Sequence, residues 1–218
     1  MPSGSILPNI PALPPSTPVL SPPINIPDRS SGEKALHCSG LVPFSTVDFP
    51  GFLAAVLFLQ GCPWKCRYCH NPHLRLFQQR RQTQGWTWEK VRNFLKERSR
   101  FLEGVVFSGG EPTAQPELPQ AMTDARSLGY RIGLHTAGAY PARLIPLLPL
   151  LDWVGLDIKA PLDSRYDRIT GVRDSATPVL ESLRIILSAG ISYQLRTTVH
   201  PPTPAPWPWY NSQTPKTS

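Results

Sequence analysis

Three of the chain's four cysteines, Cys62, Cys66 and Cys69, fall within eight residues in the segment GCPWKCRYCHNPHL. Four cysteines in 218 residues are too few for a disulfide framework, so the crowding points to metal binding in a reducing compartment. A CxxxCxxC loop can cap three corners of a [4Fe-4S] cluster, which normally takes four cysteine ligands. With three, one iron stays open to a ligand from outside the protein, and the cluster becomes a reaction site as well as an electron carrier. Two other readings stand beside this one: zinc completed by His70, His73 or Cys38, and three unbound buried thiols. Zinc sites usually draw on paired Cys or Cys/His motifs, and a second pair is absent here. Cys38 then reads as a small apolar residue or a free thiol.

Further chemistry-bearing residues follow hydrophobic runs. SGGEP, residues 108–112, sets a glycine pair, Gly109 and Gly110, before the carboxylate of Glu111. The glycines allow close backbone approach, to a ligand or simply within a turn. LDIK, residues 156–159, places Asp157 and Lys159 two residues apart, hence on one face of an extended chain, as a local salt bridge or as site residues. His135 with Thr136, and His200, close two other runs, and DFPG, residues 48–51, precedes the first.

The elements that must position these residues recur as strand then helix. Strands are expected at residues 53–59, 104–107, 130–135, 153–157 and 193–199, rich in β-branched and apolar residues. Thr87 is placed to cap a helix burying Trp88, Val91, Leu95 and Leu102. Thr177 as N-cap, Pro178 at the first helical position and Gly190 beyond the end bracket another. Residues 116–128 and 141–151 are two further helical stretches, the second interrupted by Pro146 and Pro149. Alternation of this kind implies parallel strands with right-handed crossovers, in an open doubly wound sheet or part of a β/α barrel. In either, ligands sit at the carboxyl ends of strands, where the segments above fall.

The cysteine spacing, with an aromatic residue before the last cysteine and CHNP from it onward, resembles the signature of the radical S-adenosylmethionine (radical SAM) superfamily. Residues 40–74 as a whole resemble the activases of glycyl-radical enzymes, most closely those serving anaerobic ribonucleoside-triphosphate reductase. The likeness continues through GVVFSGGEPTAQPEL, VGLDIKAP, YDRITGV and YQLRTTVHP. It implies a partial (β/α) barrel of the radical SAM type, with Cys62, Cys66 and Cys69 as ligands of a [4Fe-4S] cluster. S-adenosylmethionine is the implied second cofactor, its amino group received by Glu111 and the backbone of Gly109 and Gly110. The resemblance also puts Asp157 and Lys159 near the cofactor or substrate peptide, Tyr68 against the cluster loop or the adenine, and His200 on the ribose or carboxylate. An acid near DFPG is expected to shape the peptide side. The implied reaction is reductive cleavage to methionine and a 5′-deoxyadenosyl radical that takes a hydrogen atom from a glycine Cα of the partner enzyme. A pyruvate formate-lyase-type partner is the alternative to the reductase, and a cluster-binding protein without turnover is a third reading.

Composition divides the chain. Of 27 prolines, 15 lie in the 46 residues of 1–28 and 201–218. Residues 1–33 therefore read as a disordered Pro-rich extension, 34–200 as the radical SAM domain and 201–218 as an irregular Pro/Trp-rich tail. The family pattern stops near His200, so the barrel is expected to be truncated after its fifth β/α unit. Between Lys65 and Arg100, ten Lys or Arg stand against Glu89 and Glu97, a net +8 in a chain whose total is +7. A single basic neighbourhood without interleaved aromatics favours a docking face for an acidic partner over nucleic acid. The expected partner at that face is the electron donor, a reduced flavodoxin or ferredoxin. No apolar run approaches the roughly 20 residues of a membrane span, and no signal peptide is evident, so a cytoplasmic protein is expected.

Overall fold

The computed structural model describes residues 36–77 and 86–198. The expected extension over 1–33, the tail over 201–218 and His200 lie outside the described residues.

One six-stranded sheet has the order β1-β2-β3-β4-β5-β6: Cys38–Ser45, Ala54–Leu59, Gly104–Gly109, Arg131–Thr136, Trp153–Ile158 and Ser192–Thr197. Strands β2 to β6 are parallel neighbours in register, each within a residue or two of a run expected from the sequence. The first strand was not expected. β1 pairs antiparallel with β2, with register shifts on either side of its central residues. Its sequence CSGLVPFS carries Gly40 and Pro43 and no clean alternation, a combination tolerated on an edge strand and at bulges.

Helices pack on one face. α1 (Trp88–Arg98) starts as expected, with Thr87 Oγ1 accepting from Lys90 N at 3.2 Å, and buries Val91 and Leu95. α2 (Leu118–Ser127) is followed by Gly129 at φ 91°, and its Met122 and Ala125 are fully buried. The prolines in residues 141–151 shorten α3 to Pro141–Leu144, which passes into a 3-10 turn over Ile145–Leu150. α4 spans Ser164–Thr170 and α5 Ala176–Ser188. α5 begins before the expected cap: Thr177 Oγ1 donates instead to Asp174 Oδ1 at 2.6 Å, so Pro178 lies inside the first turn. Together these elements bury a continuous core between helices and sheet, running from Leu57 and Phe107 to Leu134 and Leu156.

The other sheet face is concave. The Phe49 ring would lie 2.7 Å from a Cβ on Gly104 of β3 and 3.4 Å from one on Gly133 of β4, and it stacks on Trp153 of β5 at 5.8 Å. One ring against three successive strands is the packing expected of a sheet that curls around it, and alanine at Gly104 would meet the ring. The α/β sheet is therefore an open, partial barrel with Phe49 filling its interior, and the segment carrying Phe49 is DFPG.

The basic window does not form one face. Lys65, Arg67 and Arg75 follow the carboxyl end of β2, whereas the last turn of α1, with Lys96 and Arg98, leads into the amino end of β3. β2 and β3 are parallel over six residues, so the two groups are separated by roughly 20 Å of strand. Arg80 and Arg81 lie outside the described residues. Among the described residues, no helix is long and apolar enough to cross a membrane.

Candidate functional site

A cavity of about 370 Å³ lies at the carboxyl ends of the parallel strands. Its wall includes Cys62, Cys66 and Cys69 with Tyr68 on one side, and Gly109 and Gly110 with Asp157, Lys159, His135 and Arg196 on the others. The structure thus brings together every sequence-predicted site residue that it describes, except Glu111.

The cysteine loop is held by contacts that need no metal. At its base Gly61 N donates to Leu74 O at 2.7 Å and Cys62 N to Arg75 O at 3.1 Å. Gln60 Nε2 closes the same neck by donating to His73 O and Leu76 O. On the far side, Lys65 N donates to Thr170 O at 2.7 Å and Arg67 N to Ile169 O at 3.3 Å, tying the loop to the end of α4. Trp64 is buried edge-on against Tyr166, with ring centroids 5.7 Å apart. Such an aromatic pair contributes about 0.5–1.5 kcal/mol beyond the area it buries. The Lys159 peptide is bracketed by two tyrosines: its N–H donates to Tyr166 Oη at 3.1 Å, and its carbonyl accepts from Tyr68 Oη at 2.6 Å. Tyr68 therefore fastens the cysteine loop to the end of β5.

The sequence offered YDRITGV only as a matched segment, without a task for Tyr166, Ile169 or Thr170. A local signal was present. Asp163 caps α4 through Arg165 N at 2.9 Å, and Gly171 at φ 68° ends it.

The glycine pair is demanded by the protein's own backbone. A Cβ on Gly109, at φ 121°, would lie 2.2 Å from Leu59 N, and one on Gly110 would lie 2.3 Å from Gly61 O. Both glycines still present backbone to the cavity.

Glu111 is fully buried, does not line the cavity, and is surrounded by donors. Its Oε1 accepts from Thr113 N at 3.2 Å, Thr113 Oγ1 at 2.6 Å and Thr136 Oγ1 at 2.7 Å, and its Oε2 accepts from Ala137 N at 2.8 Å. Burial lifts this carboxyl above its ordinary range, and the four hydrogen bonds oppose the lift. Its visible task is to bind the turn after β3 to the turn after β4.

Asp157 and Lys159 form the expected salt bridge, Nζ to Oδ2 at 3.1 Å, and both also line the cavity. The sequence reading missed their third partner. Arg196 of β6 donates from Nε to Asp157 Oδ1 at 2.8 Å and brings Nη1 within 3.2 Å of His135 Nε2. His135 Nε2 also lies 2.9 Å from the Asp48 carbonyl oxygen, donating there when it carries the proton and accepting from Arg196 when it does not. Burial, and next the Arg196 charge, hold the His135 pKa below its usual value, so the neutral ring is favoured. Arg196 sits two residues beyond Gln194 in YQLRTTV, and strand alternation with a cation at a carboxyl end was the signal available.

The donor set suits an iron–sulfur cluster with one open iron. Three thiols share one wall, whereas the Cys38 thiol lies in the helix-side core, donates to Gly40 O at 3.1 Å and does not line the cavity. Among the described residues no three His, Cys, Asp or Glu side chains are gathered closely enough to hold a single metal ion. Burial, with Glu111 next in effect, pushes the Cys62 thiol up to about 12, and burial also raises Cys66. Cationic iron reverses that cost by stabilising the thiolate. The polar side chains opposite the thiols provide donors and acceptors for a small zwitterionic molecule.

Comparison with known proteins agrees with this arrangement. A protein of Methanocaldococcus jannaschii named as a glycyl-radical enzyme activating enzyme is 32% identical over 173 residues, covering 75% of this chain and 68% of that protein. The pyruvate formate-lyase-activating enzyme of Clostridium pasteurianum is 36% identical over 127 residues, 57% of this chain and 53% of the relative. The PqqA peptide cyclase of Gluconobacter oxydans is 32% identical over 144 residues, 64% of this chain and 39% of the relative. The chain thus spans two thirds of the first relative's length and about half or less of the other two. A [4Fe-4S] cluster and S-adenosylmethionine are the cofactors of the radical SAM superfamily, whose family profile matches residues 56–205. That match takes in the cysteine loop and the strand ends facing it, and the chain belongs to the radical SAM superfamily.

Proposed function

We propose that the chain is an activating enzyme for a glycyl-radical enzyme, a radical SAM oxidoreductase working in the cytoplasm. The observation that carries this reading is a three-thiol loop facing a polar cavity at the strand ends, in a chain alike over 173 residues to a protein named for that activity. When bound, the cluster and S-adenosylmethionine supply one-electron reductive cleavage and, through it, hydrogen-atom abstraction from a glycine Cα of the partner enzyme.

The chain's own residues bind, orient and exclude water. Cys62, Cys66 and Cys69 would hold three irons, on a loop kept in place by Tyr68, Trp64 and the end of α4. The backbone of Gly109 and Gly110 would meet the amino-acid portion of S-adenosylmethionine, with Glu111 fixing the wall behind it. Asp157 and Lys159 would face cofactor or substrate peptide, and Arg196 keeps the Asp157 carboxylate in place between two cations. Phe49 closes the barrel interior below them against water. His200 remains a candidate cofactor contact.

Anaerobic ribonucleoside-triphosphate reductase is the partner favoured by the sequence resemblance. The relatives named pyruvate formate-lyase-activating enzymes support that second partner class equally. The electron comes from a reduced flavodoxin or ferredoxin. The decisive experiment is anaerobic reconstitution with iron and sulfide, addition of S-adenosylmethionine and dithionite, and measurement of 5′-deoxyadenosine with electron paramagnetic resonance. The expected result is a cluster whose spectrum responds to S-adenosylmethionine, deoxyadenosine release, and a glycyl-radical doublet on the matching partner. A cluster with no such response and no deoxyadenosine would overturn turnover, and bound zinc without iron would overturn the cluster as well.

A further inference from the structure

We propose that the outward side of the cysteine loop, together with the adjoining end of α4, is the docking face for an acidic one-electron carrier protein. The inference rests on the activase reading, because that reading requires an electron from outside: the carrier loses one, the iron–sulfur centre gains one, and no bond forms or breaks.

Lys65 and Arg67 flank Cys66 on either side, and both are exposed while Cys66 lines the cavity. A carrier seated on their charges would be separated from a Cys66-held centre by little more than the thickness of one strand of chain. Residues 61–77 contain Lys65, Arg67 and Arg75 and no Asp or Glu, so nothing within the loop neutralises them. The backbone bonds from Lys65 N to Thr170 O and from Arg67 N to Ile169 O set α4 directly beside the loop, and Lys65 Cβ approaches Gly171. Arg168 and Arg173, both exposed, are thereby brought next to Lys65.

The acids nearby are largely engaged. Asp163 is paired with Arg165 at 2.6 Å. Asp167 accepts from Asp174 N, Ser175 N and Ser175 Oγ, and Asp174 accepts from Thr177. Those hydrogen bonds leave the charges of Asp167 and Asp174 in place, and Asp163 and Asp167 act on Arg168 and Arg173, so the rim keeps a net positive charge that rests chiefly on Lys65 and Arg67, which have no carboxylate within their loop. Charge complementarity at such a rim chiefly raises encounter rate and sets orientation. The cations of the last turn of α1 sit at the opposite ends of the strands and belong to no such face.

The test uses the full reconstituted chain and a flavodoxin as the acidic probe, with direct binding by fluorescence anisotropy beside stopped-flow reduction of the cluster. Lys65→Glu/Arg67→Glu is expected to weaken binding and slow reduction by on the order of tenfold or more, and Arg168→Glu by several-fold. Parental binding should weaken by a similar factor between about 50 and 300 mM salt. Lys96→Glu/Arg98→Glu should change neither measurement. Thermal unfolding of each variant, and the gentler Lys65→Gln, separate a lost docking charge from a misfolded loop. Undiminished flavodoxin binding in the loop variants would overturn the assignment, as would equal loss in the α1 variant. So would loop variants that lose only the glycyl-radical enzyme, since the face would then belong to the protein substrate. Dithionite reaches the cluster without docking, so parental chain that makes no deoxyadenosine with dithionite would refute the activase reading independently.

Discussion

Replacing Glu111 by glutamine separates two tasks that a carboxylate after the glycine pair could have. All four groups facing the carboxylate are donors: two backbone N–H groups and two threonine hydroxyls. Thr136 Oγ1 already accepts from Gly138 N at 3.0 Å and is committed to donate toward Glu111. In Glu111→Gln the amide oxygen would serve the three donors on the Oε1 side, leaving its NH2 against Ala137 N, which now approaches at 2.8 Å. Two donors then face each other in a fully buried site. An orphaned buried donor costs about 1–3 kcal/mol and a bond to a charged acceptor is worth about 1.5–3, so a net loss of about 2–3 kcal/mol is expected after relief of the buried charge. For a chain of this size, that lowers the unfolding midpoint by about 4–12 °C. Thermal and urea unfolding of iron-free protein under reductant measures it, with Thr136→Val, removing one of the same bonds, expected to lose less. A Glu111→Gln protein within about 0.5 kcal/mol of the parent would refute the structural role. If that stable variant had lost affinity for S-adenosylmethionine, Glu111 would instead be a direct cofactor contact.

Gly110→Ala should fail more severely, since its Cβ would meet the backbone of Gly61 and Leu74 rather than a side chain that can move, and reconstituted iron content should fall with the unfolding midpoint. Thiol mapping by alkylation and mass spectrometry should find Cys38 slower than Cys66 and Cys69, because it is buried in the helix-side core while they are half-buried on the cavity wall, and Cys38→Ala should bind as much iron as the parent. His135 is held neutral in the fold with its pKa lowered, so the unfolded state takes up the proton first. Stability should therefore decline as pH falls below about 6.5, the ordinary histidine value, and His135→Gln should flatten that decline in acid unfolding curves. Asp157→Asn should weaken the hold on Arg196 and Lys159 and reduce deoxyadenosine formation at least tenfold, while costing less than about 1 kcal/mol of stability because the three groups are partly solvated.

What could be read from the sequence was whatever depends on a short stretch of chain. Thr87 announced α1 through a local hydrogen bond, and β2 to β5 were visible as apolar runs because they are buried along most of their length, whereas β6 is mostly exposed and was visible only by its place in the strand–helix alternation. β1 was not visible, since an edge strand interrupted by Gly40 and Pro43 has only half-buried and exposed residues between its ends. Thr177 looked like a cap because the hydroxyl has the right neighbours, but Asp174, at φ 55°, claims it and lets the helix start earlier. Asp157 and Lys159 could be paired by strand alternation alone. Arg196 could not be joined to them, because the pairing comes from β5–β6 register. The basic window looked like one patch because sequence proximity ignores that α1 runs back along the strands.

The same distinction explains why the tyrosines matter as much as the cysteines. Cysteine spacing states which atoms can bind iron, but it leaves the direction of the loop undetermined. That direction is set at a distance, by a hydroxyl from the loop on the Lys159 carbonyl and a hydroxyl from α4 on the Lys159 N–H. Lys159 is at once the anchor of the loop and, through its side chain, the partner of Asp157 on the opposite wall. Thiols and acid are therefore tied through one residue, and a displacement of the loop carries the Lys159 ammonium with it. Phenylalanine at Tyr68 would leave ring packing in place and remove only the link, so its effect should fall on the relation between the two walls more than on iron content or on the fold.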